Sequence, residues 1–137
     1  MREQSEKYAE IGYKLIRERD EFEELRDAEI SLVFLTDDKA KKKNRKTVFG
    51  ECEKIQKNYW WCCPYDMAII VYEANIDTYC FDEHQIETLI RHELMHVGIE
   101  YKSTGVEYYV IPHDVEDFMA IIRDEGWDWN TKNYRGS

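Results

Sequence analysis

The chain lacks any apolar run able to cross a bilayer. Its longest, near Leu32–Leu35 and Met67–Tyr72, fall far short of the roughly 20 residues a spanning helix needs. A secretory leader is not expected either, because Met1–Glu10 is charged and contains no apolar h-region. A cytosolic protein is expected on both counts. Net positive charge is missing too: at −10 over 137 residues, the surface as a whole disfavours nucleic-acid binding through charge. The four cysteines, Cys52, Cys62, Cys63 and Cys80, do not show the C-x-x-C spacing of a structural zinc knuckle. With no oxidising compartment implied, they are expected to be reduced, buried thiols rather than a disulfide framework. Histidine is scarce, at four residues: His84, His92, His96 and His113.

Two of those four fall in His92-Glu93-Leu94-Met95-His96, an H-E-x-x-H pentapeptide within an amphipathic run from about Glu83 to Tyr101. Histidines four apart on an α-helix project from one face, so both imidazoles can close on a single metal ion. Zinc suits the pattern: it takes neutral imidazole nitrogen in a tetrahedral shell and, in catalytic sites, leaves one position for water. Glu93 stands about 100° from His92 on the helical wheel, where a carboxylate can act on that water as general base. Ile86, Ile90, Leu94, Val97 and Tyr101 recur at spacings of three and four, an apolar stripe expected to pack on a core while the histidines face elsewhere.

The remaining elements follow from periodicity and punctuation. Residues 4–26 are expected as one helix with Tyr8, Ile11 and Leu15 inward, and residues 30–35 as a buried strand ended by Thr36-Asp37-Asp38. Lys39, Lys41, Lys42, Lys43, Arg45 and Lys46 form a basic run that is expected to be a solvated loop. A strand is expected over 47–57 with a bulge at Gly50, then an aromatic loop around Tyr59-Trp60-Trp61, then a strand over 66–74 that is apolar on both sides and therefore internal. Asp82 is the expected N-cap of the motif helix, with Gln85 in the capping-box position. A last helix is expected from Asp114, ending at Gly126. The fold expected is α+β over a single domain, residues 1–137: a small three-stranded mixed or antiparallel sheet against the active-site helix, with N- and C-terminal helices.

Catalytic zinc normally takes three protein ligands. His84 lies two turns before His92 and points elsewhere, so His113 is the expected third, with Glu116 and Asp117 as rivals. The extended metzincin motif fails, since Lys102 occupies the place of its third histidine. Asp114, Glu116 or Asp117 can accept the second nitrogen of a ligating imidazole. Tyr101, Tyr108 and Tyr109 are candidate donors to a tetrahedral oxyanion.

His92-Glu93-Leu94-Met95-His96-Val97-Gly98, followed by His113-Asp114-Val115-Glu116-Asp117-Phe118, resembles the signature of the phage metallopeptidases, small zincin-like proteins encoded in phage and prophage genomes. The resemblance covers about residues 28–127. It implies one zinc ion, support for His113 as ligand with Asp114 beside it, a protein or peptide substrate lying along the sheet edge as an added strand, and the cytoplasm of a bacterial host. It extends in outline to SprT-like proteases. The function expected is zinc-dependent hydrolysis of peptide bonds by activated water. Two other readings stand beside it: a non-catalytic zinc module tying two helices together, and a DNA-associated protease using the basic run 39–46.

Overall fold

The computed structural model describes residues 2–112 and 118–134; its fold is α+β, with a four-stranded mixed sheet, two separate hairpins and five helices among those residues. The chain opens with β1 (Arg2–Gln4), α1 (Glu6–Glu18) and α2 (Glu23–Asp27), and then enters β2 (Leu32–Asp37). The one helix expected over 4–26 is therefore broken. Ser5 caps α1 by accepting the Tyr8 N–H, and Arg19 is extended, at φ −95° and ψ 132°. A 3₁₀ turn at Asp20–Phe22 then redirects the chain. The four residues Glu18-Arg19-Asp20-Glu21 offer nothing apolar to hold a continuing helix on the core. Breaking it lets Phe22 and Leu25 be buried in a new direction.

The basic run forms a hairpin of β3 (Lys42–Lys43) and β4 (Lys46–Thr47), where a loop was expected. Its two turn residues, Asn44 and Arg45, have φ of 52° and 66°, the pair of left-handed conformations that a two-residue type I′ turn requires. Next come β5 (Gly50–Lys54) and β6 (Met67–Tyr72). Gly50 pairs regularly with Val71 and forms no bulge. The sheet order is β1-β2-β6-β5, with β2 and β6 parallel and both outer strands antiparallel to their neighbours. The three expected strands are thus β2, β5 and β6, and β1 adds a fourth. As its two-sided apolar pattern demands, β6 is internal. Met67, Ile69 and Val71 join the main core under the helices, while Ala68, Ile70 and Tyr72 join a smaller cluster on the other face.

A short α3 (Glu73–Thr78) separates β6 from α4 (Glu83–Leu94), which carries the motif. Asp82 and Gln85 form the expected capping box, each side chain accepting the other's backbone N–H at 2.8 Å. The Gln85 amide then donates to the Trp129 carbonyl at 2.8 Å, fastening the start of α4 to the C-terminal segment. The far end differs from expectation. Instead of running to Tyr101, α4 stops at Leu94, and residues 97–110 form a hairpin of β7 (Val97–Lys102) and β8 (Gly105–Val110). Val97-Gly98-Ile99 sets two β-branched residues around a glycine, which disfavours helix and suits a strand. The exposed Tyr109 ring lies over Gly98, where a Cβ would stand 2.4 Å from it and push it aside. Finally α5 (Met119–Glu125) ends at Gly126, as expected, where φ is 86°; it begins later than the expected Asp114, because Phe118 is extended at φ −84° and ψ 135°.

Candidate metal centre

The last turn of α4 buries a series of polar groups that an ordinary amphipathic helix would keep in water. Arg91, His92 and Glu93 are 3%, 9% and 4% exposed. The apolar stripe implied that the histidines face away from the core; His92 instead is buried, and His96 half-buried. Glu93 lies on the inner stripe itself, three residues after Ile90 and seven after Ile86. A carboxylate there costs free energy through desolvation unless something specific uses it.

The pentapeptide begins in the helix and ends just past it, with His96 in the turn that leads into β7. The rings of His92 and His96 have centroids 5.3 Å apart at 63°, and His92 Nε2 lies 3.9 Å from Glu93 Oε2. One ligand atom from each of His92, Glu93 and His96 can be chosen so that all three lie within 4.8 Å of one another, a spacing able to hold a metal ion. The donor set fits such an ion for a further reason. His96 Nδ1 donates to the Ile111 carbonyl at 2.5 Å, and the Ile111 N–H returns a bond to the His96 carbonyl at 2.5 Å. A proton held on Nδ1 leaves Nε2 as the lone-pair nitrogen, the arrangement that orients a metal-binding imidazole.

The site opens into a cavity of about 640 Å³ lined by His92, Glu93, His96, Gly50, Cys52 and residues of the basic hairpin. Gly50 gives the Glu93 side chain its place. A Cβ at Gly50 would lie 3.0 Å from the Ile70 carbonyl oxygen, 3.2 Å from Glu93 Cγ and 3.3 Å from Glu93 Oε2. Gly50→Val is therefore expected to displace the Glu93 carboxylate; a crystal structure of the variant checks this, and a carboxylate in its original place would mean that the glycine is not needed there. Cys52, on the next inward position of β5, is held neutral: burial pushes its thiol up, and the Glu93 and Glu53 carboxylates push it further.

His113, Asp114, Glu116 and Asp117 lie outside the described residues. Their described flanks, however, both touch the histidines. Ile111 is bonded to His96 as above, and Phe118 packs edge-on against both rings, at 5.3 Å from His92 and 5.0 Å from His96. His84 is elsewhere, paired with Glu125 at 2.5 Å. Tyr101, Tyr108 and Tyr109 are on the β7–β8 hairpin and are not among the residues lining the cavity. Tyr101 and Tyr109 are exposed, and Tyr108 packs against the core with its hydroxyl pushed up by burial and by Asp66. Cys62 and Cys80 are exposed rather than buried, and all four thiols are free.

Gly50, Cys52 and the lysines of β3 were not expected at the site. Only tertiary packing brings them there. No helix among the described residues is long and apolar enough to cross a membrane. No curated protein and no solved structure matches the chain. A family does match, over residues 1–134, wider than the 28–127 span the motifs suggested and including α1. The chain, with its His-Glu-His group at the end of α4 and in the turn after it, belongs to the family described as "Putative phage metallopeptidase".

Proposed function

We propose that this chain is a single zincin-like domain over residues 1–137 that hydrolyses peptide bonds, with His92, His96 and His113 as ligands of one zinc ion and Glu93 as the general base. The observation that carries the reading is the convergence of two imidazoles and a buried carboxylate, one imidazole with its tautomer set by the Ile111 carbonyl. A third ligand from residues 113–117 is supported by the contacts of the described flanks, Ile111 with His96 and Phe118 with both histidine rings, and His113 is chosen within them because the His-Asp pair belongs to the family signature. Zinc bound there would supply a Lewis acid that acidifies water and polarises a scissile carbonyl.

The chain's own groups do the rest. Glu93, backed by Gly50, takes a proton from the attacking water and passes it to the leaving amine. The rings of Phe118 and Trp129 lie against His92 and keep bulk water from its flank. The outer strand β5 runs beside the cavity and offers a sheet edge along which an extended peptide can lie.

The test is chemical. Purified protein is expected to carry a single zinc ion, to lose cleavage of a broad peptide mixture on chelation, and to regain it with added zinc. His113→Ala is expected to leave the protein folded but metal-poor and inactive. Full zinc occupancy in that variant would transfer the third-ligand role to Glu116 or Asp117, and zinc-loaded wild type that cleaves nothing would reject the peptidase reading.

A further inference from the structure

Six of the chain's nineteen basic residues fall within positions 39–46, in a molecule whose net charge is −10. The fold puts this run against the candidate metal centre: Lys41, Lys42 and Lys43 line the same cavity as His92, Glu93 and His96. The hairpin is held there by its base. Asn75, buried on α3, donates its side-chain amide to the carbonyls of Lys41 at 2.9 Å and Val48 at 2.7 Å, and the Val48 N–H closes on the Lys41 carbonyl at 3.0 Å. Thr47 and Tyr79 join hydroxyls at 3.2 Å. The position of the basic residues is thus built rather than incidental.

Their charge is only partly answered among the described residues. Lys41 pairs with Glu51, the acid on the neighbouring β5. Lys42 and Lys43 are exposed, and neither has an ion-pair partner among the described residues. Lys43 also stands directly across from Lys46, a like-charge pairing that weakens an antiparallel ribbon. The turn puts an arginine at φ 66°, where a glycine or asparagine would be less strained. A hairpin chosen for stability alone would have neither feature.

We propose, resting on the peptidase reading above, that the β3–β4 hairpin is a specificity element that selects acidic polypeptide segments, with Lys42 and Lys43 holding Asp or Glu side chains of the substrate beside the scissile bond. An acidic peptide suits the geometry better than nucleic acid. The lysines line the wall of the catalytic cavity, so what they hold is the chain being cut. The rest of the surface repels a long polyanion, whereas a short acidic segment meets only the basic wall.

The probe is a fluorescein-labelled peptide rich in Glu and its counterpart with Gln at each Glu, bound by anisotropy to zinc-loaded Glu93→Gln protein so that nothing is cleaved. The Glu peptide is expected to bind about tenfold tighter, a preference that falls with added salt and disappears in Lys42→Ala/Lys43→Ala. Because both lysines are exposed, the double variant keeps its fold. Equal affinity for the two peptides overturns the proposal. So does a duplex oligonucleotide that outcompetes the Glu peptide and needs the same two lysines. If the Glu peptide binds through Lys42 and Lys43 yet zinc-loaded wild type cleaves nothing in the broad peptide mixture, the hairpin's preference for acidic segments stands and the peptidase reading falls. If wild type cleaves both at the same kcat/KM, the reverse holds.

Discussion

Replacing Glu93 by Gln is expected to lower kcat/KM for peptide cleavage by about a hundredfold to ten-thousandfold without changing zinc content. Gln fills the same volume against Gly50 and keeps an oxygen near where the carboxylate oxygen lies, so the packing around the end of α4 is preserved. What it lacks is the ability to take a proton. In the proposed reaction the loss therefore appears chiefly in kcat, with KM little altered, because the substrate is held by the cavity walls rather than by the base. The alternative reading, a zinc module that only ties elements together, predicts something else: Gln in place of Glu93 would leave every measurable property alone. A variant as active as wild type would remove Glu93 from the chemistry. One that failed to bind zinc would recast it as a metal ligand.

How much of this was legible in the sequence depends on whether the signal is local. The capping box of Asp82 and Gln85 is a four-residue pattern and was read directly. So was β6, where six consecutive apolar residues can only be internal. The end of α4 was not legible. Ile86, Ile90, Leu94, Val97 and Tyr101 fit a helical stripe, yet residues 97–102 fit strand alternation equally well, and in the fold they pair with residues 105–110 as a hairpin. Short apolar runs of this kind satisfy both periods. The β3–β4 hairpin could not be seen for a different reason: its strands are two residues each, below any periodicity. The burial of Glu93 and its contact with Gly50 depend on where β5 runs, which no spacing in the sequence specifies.

Arg91→Ala is the change expected to cost most stability, about 2–4 kcal/mol, read as a shift in the midpoint of urea unfolding. The Arg91 side chain is only 4% exposed and bonds Glu21 at 2.6 and 3.0 Å and Asp124 at 3.0 Å. It thereby joins α4 to the 3₁₀ turn after α1 and to α5, and Arg19 reinforces the cluster through Glu21 at 2.7 Å. Breaking a fully buried pair typically costs about 3–5 kcal/mol. The partners here are 27% and 34% exposed and can regain some water, which sets the expectation toward the lower end. The pH dependence has a definite sign. Burial pushes the Glu21 carboxyl up, but its bonds to Arg91 and Arg19 outweigh that and hold it below the usual range, while the bond from Arg91 holds Asp124 low as well. Groups whose folded pKa is depressed contribute stability above their unfolded pKa, near 4, and lose it as the pH falls through the folded values. Wild type should therefore lose stability on acidification below about pH 4 more steeply than Arg91→Ala does. Because Arg91 directly precedes His92, and α5 begins next to Phe118, which packs on both histidine rings, the same variant should also hold zinc more weakly. An unfolding midpoint and an acid profile both matching wild type would show that this cluster does not support the end of α4.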